Sequence, residues 1–177
     1  MSAMHGNNGA VTAVEGTLVP ALDGSRVGFD FDTEFDRIRV LTSTGQNLRV
    51  NPATGTVEAV DTELAYVAGD PGAGKNPRIV GAAYDDNFPG ATTPTLYALD
   101  SRRDTLVKVG STNGAPDSAN TGKLTTVGRL GVNFNDLVGF DITADRQAFA
   151  ALKPSDNSTG LYRIILRTAT MDAGASS

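Results

Sequence analysis

Three carboxylates near the first β-branched run have the types and spacing to bind a cation or to carry acid–base chemistry. Asp30 and Asp32 alternate along one predicted strand, so both side chains point to the same face, and Asp36 follows in the next turn. Carboxylate oxygens suit Ca²⁺, and a carboxylate pair can also hydrolyse glycosides. Turn capping and pairing with Arg37 or Arg39 is the simpler interpretation. No cofactor is expected unless this cluster holds calcium.

A second polar group extends over two neighbouring predicted strands. Its members are Arg37, Arg39, Asn47, Arg49 and Asn51. If the two strands pair as a hairpin, alternation brings these side chains onto one face as a single patch. Such a patch would suit an anionic or glycan ligand or a partner subunit, whereas a solvated face with cross-strand ion pairs is the simpler interpretation.

Composition restricts the remaining chemistry. The 177 residues include no cysteine and a single histidine, His5, so one chain cannot build a thiolate metal site, a cysteine nucleophile or a Ser-His-Asp triad. The net charge of −5 argues against binding to nucleic acid. No run approaches the roughly 20 apolar residues of a membrane span, and the opening residues lack the apolar centre of a signal peptide.

One glycine-rich segment, Gly69–Lys75, has the spacing of a phosphate-binding loop. That loop needs a Ser or Thr immediately afterwards to hold magnesium, and then a helix whose N-terminus faces the phosphates. Here Asn76 and Pro77 follow, with no helical pattern beyond them. We therefore interpret the segment as a loop between two structural repeats.

The elements that must position these residues form a repeat. An opening strand of related sequence occurs at intervals of about 55 residues, as Val27–Asp32, Val80–Asp85 and Val138–Thr143. Two further β-branched runs bounded by turn residues follow each opening strand. The second strands are residues 37–41, 96–99 and 148–152, and the third strands are residues 47–50, 105–109 and 161–166. Four-stranded propeller blades repeat with a comparable period of about 40–50 residues.

The fourth strand of the repeat is the most informative. Gly55–Val60 resembles Gly122–Val127, and both resemble Gly9–Val14 ahead of the first blade, whereas no clear fourth strand follows Leu166. The pattern therefore predicts that the N-terminal strand completes the third blade, in cis or from another chain, and leaves no open edge. The residues of this assembly strand are Val11, Thr12, Ala13 and Val14.

The predicted fold is a single all-β domain over residues 1–177, with about three four-stranded antiparallel propeller-like blades. The blades span about residues 27–60, 80–127 and 138–170, with the orphan strand at residues 9–14. Three blades are fewer than the four to eight of a typical ring. Two chains could close a six-bladed ring, and an open head-to-tail exchange would build a filament. A fragment of a longer propeller and an open sandwich are the alternatives.

Three segments, Gly28–Asp32, Asp36–Val40 and Gly45–Pro52, resemble a bacterial propeller-like domain-of-unknown-function family, number four-three-nine-four. The resemblance extends from about Leu18 to Leu166. It implies a repeat-built domain of exported proteins, extracellular or periplasmic, and it supplies no activity.

The sequence points first to a non-enzymatic, exported structural or protein-interaction module that assembles by strand exchange or blade closure. A homo-oligomer or filament is expected, with no nucleic acid and no membrane span. A propeller that binds a glycan or calcium is the first alternative. A carboxylate-based hydrolase is the least favoured, because nothing near Asp30 and Asp32 separates two carboxyl pKa values and the chain has no tryptophan to stack a sugar.

Overall fold

The chain folds into three β-sheets in a computed structural model, which describes residues 13–14, 16–86, 88, 90–156 and 158–173. Short β-branched and aromatic runs separated by Gly, Asn, Asp and Pro favour strands and tight turns. The first sheet contains β1 (Val27–Asp32), β2 (Arg37–Thr42), β3 (Asn47–Val50) and β4 (Val57–Val60). The second contains β5 (Ala65–Tyr66), β6 (Ile79–Tyr84), β7 (Leu96–Asp100), β8 (Thr105–Val109) and β9 (Lys123–Arg129). The third contains β10 (Phe134–Ile142), β11 (Ala148–Pro154), β12 (Gly160–Ile165) and β13 (Thr170–Ala173).

Consecutive strands pair antiparallel in every sheet, and only β5 departs from this rule. It pairs parallel with β9 at the outer edge of the second sheet, which therefore has five strands in the order β5-β9-β8-β7-β6. Two short 3₁₀ turns, Thr112–Gly114 and Ala119–Thr121, lie between β8 and β9. Within the described ranges, no helix has the length and apolarity to cross a membrane. The predicted all-β class and the division into three antiparallel sheets are confirmed.

The third sheet differs from the prediction at its outer edge. No fourth strand was expected after Leu166, but β13 pairs antiparallel with β12 and places Met171 opposite Ile164. Ala169 makes the reversal with a φ of 58°, a conformation that Gly or Asn adopts more readily. The turn therefore has no signature in the sequence.

The predicted N-terminal assembly strand lies only partly within the described residues. Val11 and Thr12 lie outside the described residues, whereas Ala13 and Val14 are described and belong to no strand. Val14 lies against the turn before β4, where a Cβ atom added to Gly55 would come within 3.2 Å of the Val14 Cγ1. Because β13 occupies the fourth position of the third sheet, the expectation that this sheet lacks a fourth strand of its own is wrong.

The three sheets stack in chain order. The opening strands are neighbours, since β1 lies beside β6 and β6 lies beside β10. The core between the first and second sheets includes Leu41, Ile79, Leu96, Val107 and Leu124. The core between the second and third sheets includes Leu99, Leu106, Ile142, Ala150 and Ile164. Each large side chain buried at these junctions contributes about 1.5–3 kcal/mol of transfer free energy, so the stack is held together by its sheet faces.

A third, smaller cluster lies on the outer face of the first sheet. Val40, Leu48 and Val50 are buried there, and Leu18 from the segment before β1 packs over them. The outer face of the first sheet is thus partly covered by the chain itself.

Candidate functional site

A buried polar network joins the first and second sheets. Arg39 on β2 is 1% exposed, and its guanidinium reaches four partners. Its Nη1 donates to Asn47 Oδ1 at 2.9 Å and to Asp61 Oδ2 at 2.7 Å. Its Nη2 donates to Asn120 Oδ1 at 2.7 Å, and its Nε donates to the Tyr84 hydroxyl at 3.2 Å. A buried guanidinium is tolerated only when its donors find acceptors in this way.

The charges of this network balance within it. Arg49 donates to both carboxylate oxygens of Asp61, at 2.8 and 2.9 Å, and the bond to Asp61 raises the pKa of Arg49. The Tyr84 hydroxyl donates to Asp32 Oδ2 at 2.9 Å, and burial raises the pKa of that phenol, which therefore stays neutral. Two cations face two carboxylates, so the network acts as a structural lock between the two sheets.

The predicted polar patch comprised Arg37, Arg39, Asn47, Arg49 and Asn51. Strand register does place these residues on one face, because Arg39 pairs with Arg49 across β2 and β3. Arg39 and Asn47 are nevertheless buried inside the network. Arg37 and Asn51 instead meet at Glu58 on β4, and these bonds, Asn51 first, lower the pKa of Glu58. The five residues therefore split between a buried junction and an exposed cross-strand group, and they form no single ligand patch.

The predicted calcium ligands are used by the protein itself. Asp30 Oδ2 accepts the backbone N–H of Tyr84 at 2.6 Å, and burial raises the pKa of Asp30. Asp32 also caps the following turn by accepting the N–H of Glu34 at 3.2 Å. Asp36 is exposed in that turn with a φ of 55°. Across the described ranges, no group of three or more His, Cys, Asp or Glu residues is placed to hold a metal, so the structure does not bring these three together as a cation site.

The glycine-rich segment is closed by its own carboxylate. Asp70 accepts the N–H of Gly72 at 2.7 Å and both the N–H and the hydroxyl of Thr126, at 2.7 and 2.8 Å. Burial alone would raise the pKa of Asp70, but these hydrogen bonds outweigh it and the pKa falls. Gly72 rests on the ring of Tyr66, where a Cβ would come within 2.6 Å. The segment lies between β5 and β6 and is the loop that we expected, with its turn closed by Asp70.

On the outward face of the third sheet, the side turned away from the second sheet, the described residues leave an apolar patch open. Leu137 on β10 and Leu161 on β12 are 56% and 62% exposed. Gly139 lies two residues after Leu137 on β10 and pairs with Ala151, which in turn pairs with Leu161. The two small residues form a shallow floor between the leucines. Monomeric proteins rarely leave a contiguous apolar surface of this kind without a use for it.

This open face continues into a groove of about 790 Å³. Val27, at the start of β1, forms the opposite wall from Leu137 and Leu161, and Arg26 and Lys153 lie at its rim. At one end Arg78 forms an ion pair with Asp136, and this bond lowers the pKa of Asp136. The groove therefore has apolar walls and a charged margin, the anatomy of a protein-binding surface.

A second cleft, of about 620 Å³, lies between the second and third sheets on their outer side. Tyr97, Lys108, Asn113 and Arg167 line it, together with Arg146. Burial raises the pKa of Tyr97, so its hydroxyl stays protonated at neutral pH. The size and the mixture of ring, amide and charged groups, the Asp85 carboxylate among them, fit a polar small molecule.

Sequence reasoning missed the partners that lie far away in the chain. Asp61, Tyr84 and Asn120 complete the network around Arg39, yet no local pattern links them to it. The open face was also missed, although its floor residue Gly139 belongs to the repeated opening strand that the sequence did reveal.

A model of a known protein family covers nearly the whole chain. The family described as "Domain of unknown function (DUF4394)" matches residues 1–175. No curated protein matches the chain significantly.

Proposed function

The chain belongs to the DUF4394 family of domains of unknown function. We propose that it serves as a non-enzymatic structural or protein-interaction module, in which an exposed sheet face is covered by another protein surface. The resemblance to propeller-like domains of exported proteins supports a role outside the cytoplasm. The sheets act as blades, with β1, β6 and β10 side by side as the inner strands.

The open face of the third sheet carries this proposal. Its apolar side chains, Leu137 and Leu161 foremost, are more than half exposed, whereas the two sheet junctions within the chain bury residues of the same kind. Exposed residues of this kind lower the solubility of a protein. Their presence at the surface is explained if the face binds another protein surface.

The state of the carboxylates agrees with a non-enzymatic role. Asp32 and Asp61 balance the charges of Arg39 and Arg49, and Asp30 accepts a backbone N–H. A glycosidase would need one carboxylic acid and one carboxylate facing a shared substrate. Here the carboxylates are instead bound by arginines and by a backbone N–H of the protein itself.

Replacing the apolar residues of the face tests the proposal. The double variant Leu137→Lys with Leu161→Lys should unfold within about 0.5 kcal/mol of the wild type, since exposed surface substitutions cost little. It should also lose the binding of a fluorescent apolar dye. Val60→Lys is the matched control, because Val60 is a strand residue with the same 62% exposure as Leu161 but lies on the first sheet.

A loss of several degrees in Tm for the double variant would show that the face supports folding, and it would contradict the proposal. Turnover in a broad hydrolase screen that disappears in Asp30→Asn would contradict the non-enzymatic part.

The cleft beside Tyr97 favours a second candidate function, the binding of a glycan. Its volume of about 620 Å³ lies within the usual range of ligand pockets, about 300–1,000 Å³. Lys108 and Arg167 would favour an acidic sugar. Calorimetric titration with neutral and uronic-acid oligosaccharides checks this candidate, and Lys108→Ala should weaken the binding of the acidic sugar alone.

A further inference from the structure

The glycine of the repeated opening strand marks where the next sheet approaches. At Gly28 on β1, a Cβ atom would lie 2.8 Å from the backbone nitrogen of Ala82 on β6. At Gly81 on β6, a Cβ atom would lie 3.1 Å from the Cβ of Phe140 and 3.3 Å from the Cγ2 of Val138, both on β10. Both junctions therefore have a glycine at their closest approach, and Gly28, which faces backbone, tolerates an added side chain less than Gly81, which faces side chains.

The third glycine of the series has no such neighbour among the described residues. A Cβ atom at Gly139 on β10 would meet only Ala151 of its own sheet, at 3.8 Å. Gly139 lies on the open face, next to the exposed Leu137 and Leu161. The close approach that the repeat reserves for a following sheet is therefore unused at this position.

The residues that would fill the position are also present and exposed. At the junction of the second and third sheets, Val138 and Phe140 pack against Gly81. They are the residues on either side of Gly139. The same Val-Gly-Phe triplet opens β1. Its flanking residues, Val27 and Phe29, are 45% and 62% exposed on the outer face of the first sheet.

We propose that a second copy of this chain occupies the open face, with its Val27 and Phe29 packed over Gly139 as Val138 and Phe140 pack over Gly81. The inference rests on the proposed function and names its partner. Each contact joins two different surfaces, and two chains related by a two-fold axis make it twice. Two chains that make it reciprocally form a closed ring of six sheets, which is a common size for propellers.

The contact is centred on the inner strands. Leu18 already covers the middle of the first sheet's outer face, so β1 on β10 supplies most of the new packing. Because the packing is centred on one strand from each sheet, each contact is small and association in the micromolar range is expected.

Sedimentation of the full chain between about 1 and about 200 µM tests the proposal, since this range brackets micromolar association. The wild type should shift from 18.3 kDa toward a dimer. Gly139→Val and Phe29→Asp should each stay monomeric and fold normally, because both positions are open in the single chain. Val60→Asp, at the same 62% exposure as Phe29, should associate like the wild type.

Mixing the two monomeric variants tests the geometry. The Gly139→Val chain keeps an intact β1 surface, and the Phe29→Asp chain keeps an intact Gly139 surface, so an equimolar mixture should form a heterodimer through one contact. A symmetric contact between two third sheets predicts no recovery on mixing. Failure to recover would overturn the proposal.

The outcomes separate the two proposals. A wild type that remains monomeric over the whole range overturns the second-copy inference, while loss of apolar dye binding in the stable Leu137→Lys and Leu161→Lys double variant would still support an interaction face for another partner. Dimerisation that Gly139→Val leaves unchanged also overturns the inference.

Discussion

The two sheet junctions are held by different chemistry. Between the first and second sheets, apolar residues surround a charged network in which the Arg39 guanidinium is bound by named acceptors on both sheets. Between the second and third sheets, the buried core is apolar, with Leu99 and Ile142 among its members, and the ion pairs Arg78–Asp136 and Arg146–Asp86 lie at its more exposed margin. A charged junction is specific because its groups are costly to bury with any other partner, whereas an apolar junction requires only a matching shape. The open face of the third sheet is of the second type, which suits a surface that closes after folding.

The largest effect is expected when the charged junction loses its central residue. Arg39→Ala leaves the acceptor oxygens of Asn47 and Asn120 unpaired and removes one of the two cations that face Asp61. We expect a loss of about 3–5 kcal/mol in the free energy of unfolding, measured by urea denaturation. Arg37→Ala is the control, since Arg37 pairs with Glu58 at the surface and should cost under about 1 kcal/mol. Equal losses in the two variants would contradict the lock that we assign to Arg39.

An intermediate effect should distinguish the closed junctions from the open face. Gly28→Val would place a side chain against the backbone of Ala82 and should cost about 1–3 kcal/mol or more. Gly81→Val meets side-chain atoms of Val138 and Phe140, which can yield, so its cost should be lower. Gly139→Val should change the stability of the monomer by less than about 0.5 kcal/mol. Thermal unfolding at low protein concentration gives all three values, and a destabilised Gly139→Val would show that the face is already occupied.

The smallest effect concerns two carboxylates whose pKa values move in opposite directions. Burial raises the pKa of Asp30 above its ordinary value of 3.8. The protonated carboxyl therefore stabilises the fold below that pH, and this contribution is lost as the pH rises through the folded pKa. Asp30→Asn keeps an acceptor for Tyr84 and should therefore gain under about 1 kcal/mol near pH 7. No difference is expected at low pH, where Asp30 is itself neutral.

Asp70 provides the opposite sign. Its pKa is lowered, so its contribution is present above the ordinary pKa of 3.8 and is lost as the pH falls through the folded value. Asp70→Asn should lose stability near pH 7 and converge with the wild type in acid. Melting curves across pH for both variants provide the check, and shifts of the same sign at pH 7 would contradict the assignments.

The sequence predicted the opening strands well because their glycines serve packing. Gly28 lies where β6 approaches closely, and Gly81 lies where β10 does. The Val-Gly pattern therefore recurs where the inner strands meet. The turn after β3 also has a local sequence signature. The Asn51 side chain accepts the N–H of Ala53 at 2.8 Å, and Gly55 has a φ of 66°.

The remaining features depend on the assembled fold. β13 was missed because Ala169, an ordinary residue, makes its turn under tertiary constraint. The network was missed because Arg39 and Asn120 meet only after the first two sheets have packed. Local spacing correctly put Arg39 and Arg49 on one face, but it could not show that this face would be buried.

The central claim is that Gly139 marks an unfilled junction that a second copy fills. Sedimentation equilibrium of the wild type and of Gly139→Val at matched concentrations tests it most directly. We predict a wild-type mass that rises with concentration toward twice 18.3 kDa, and a Gly139→Val mass that stays at the monomer value with an unchanged Tm. Identical masses for the two proteins at every concentration would contradict the claim.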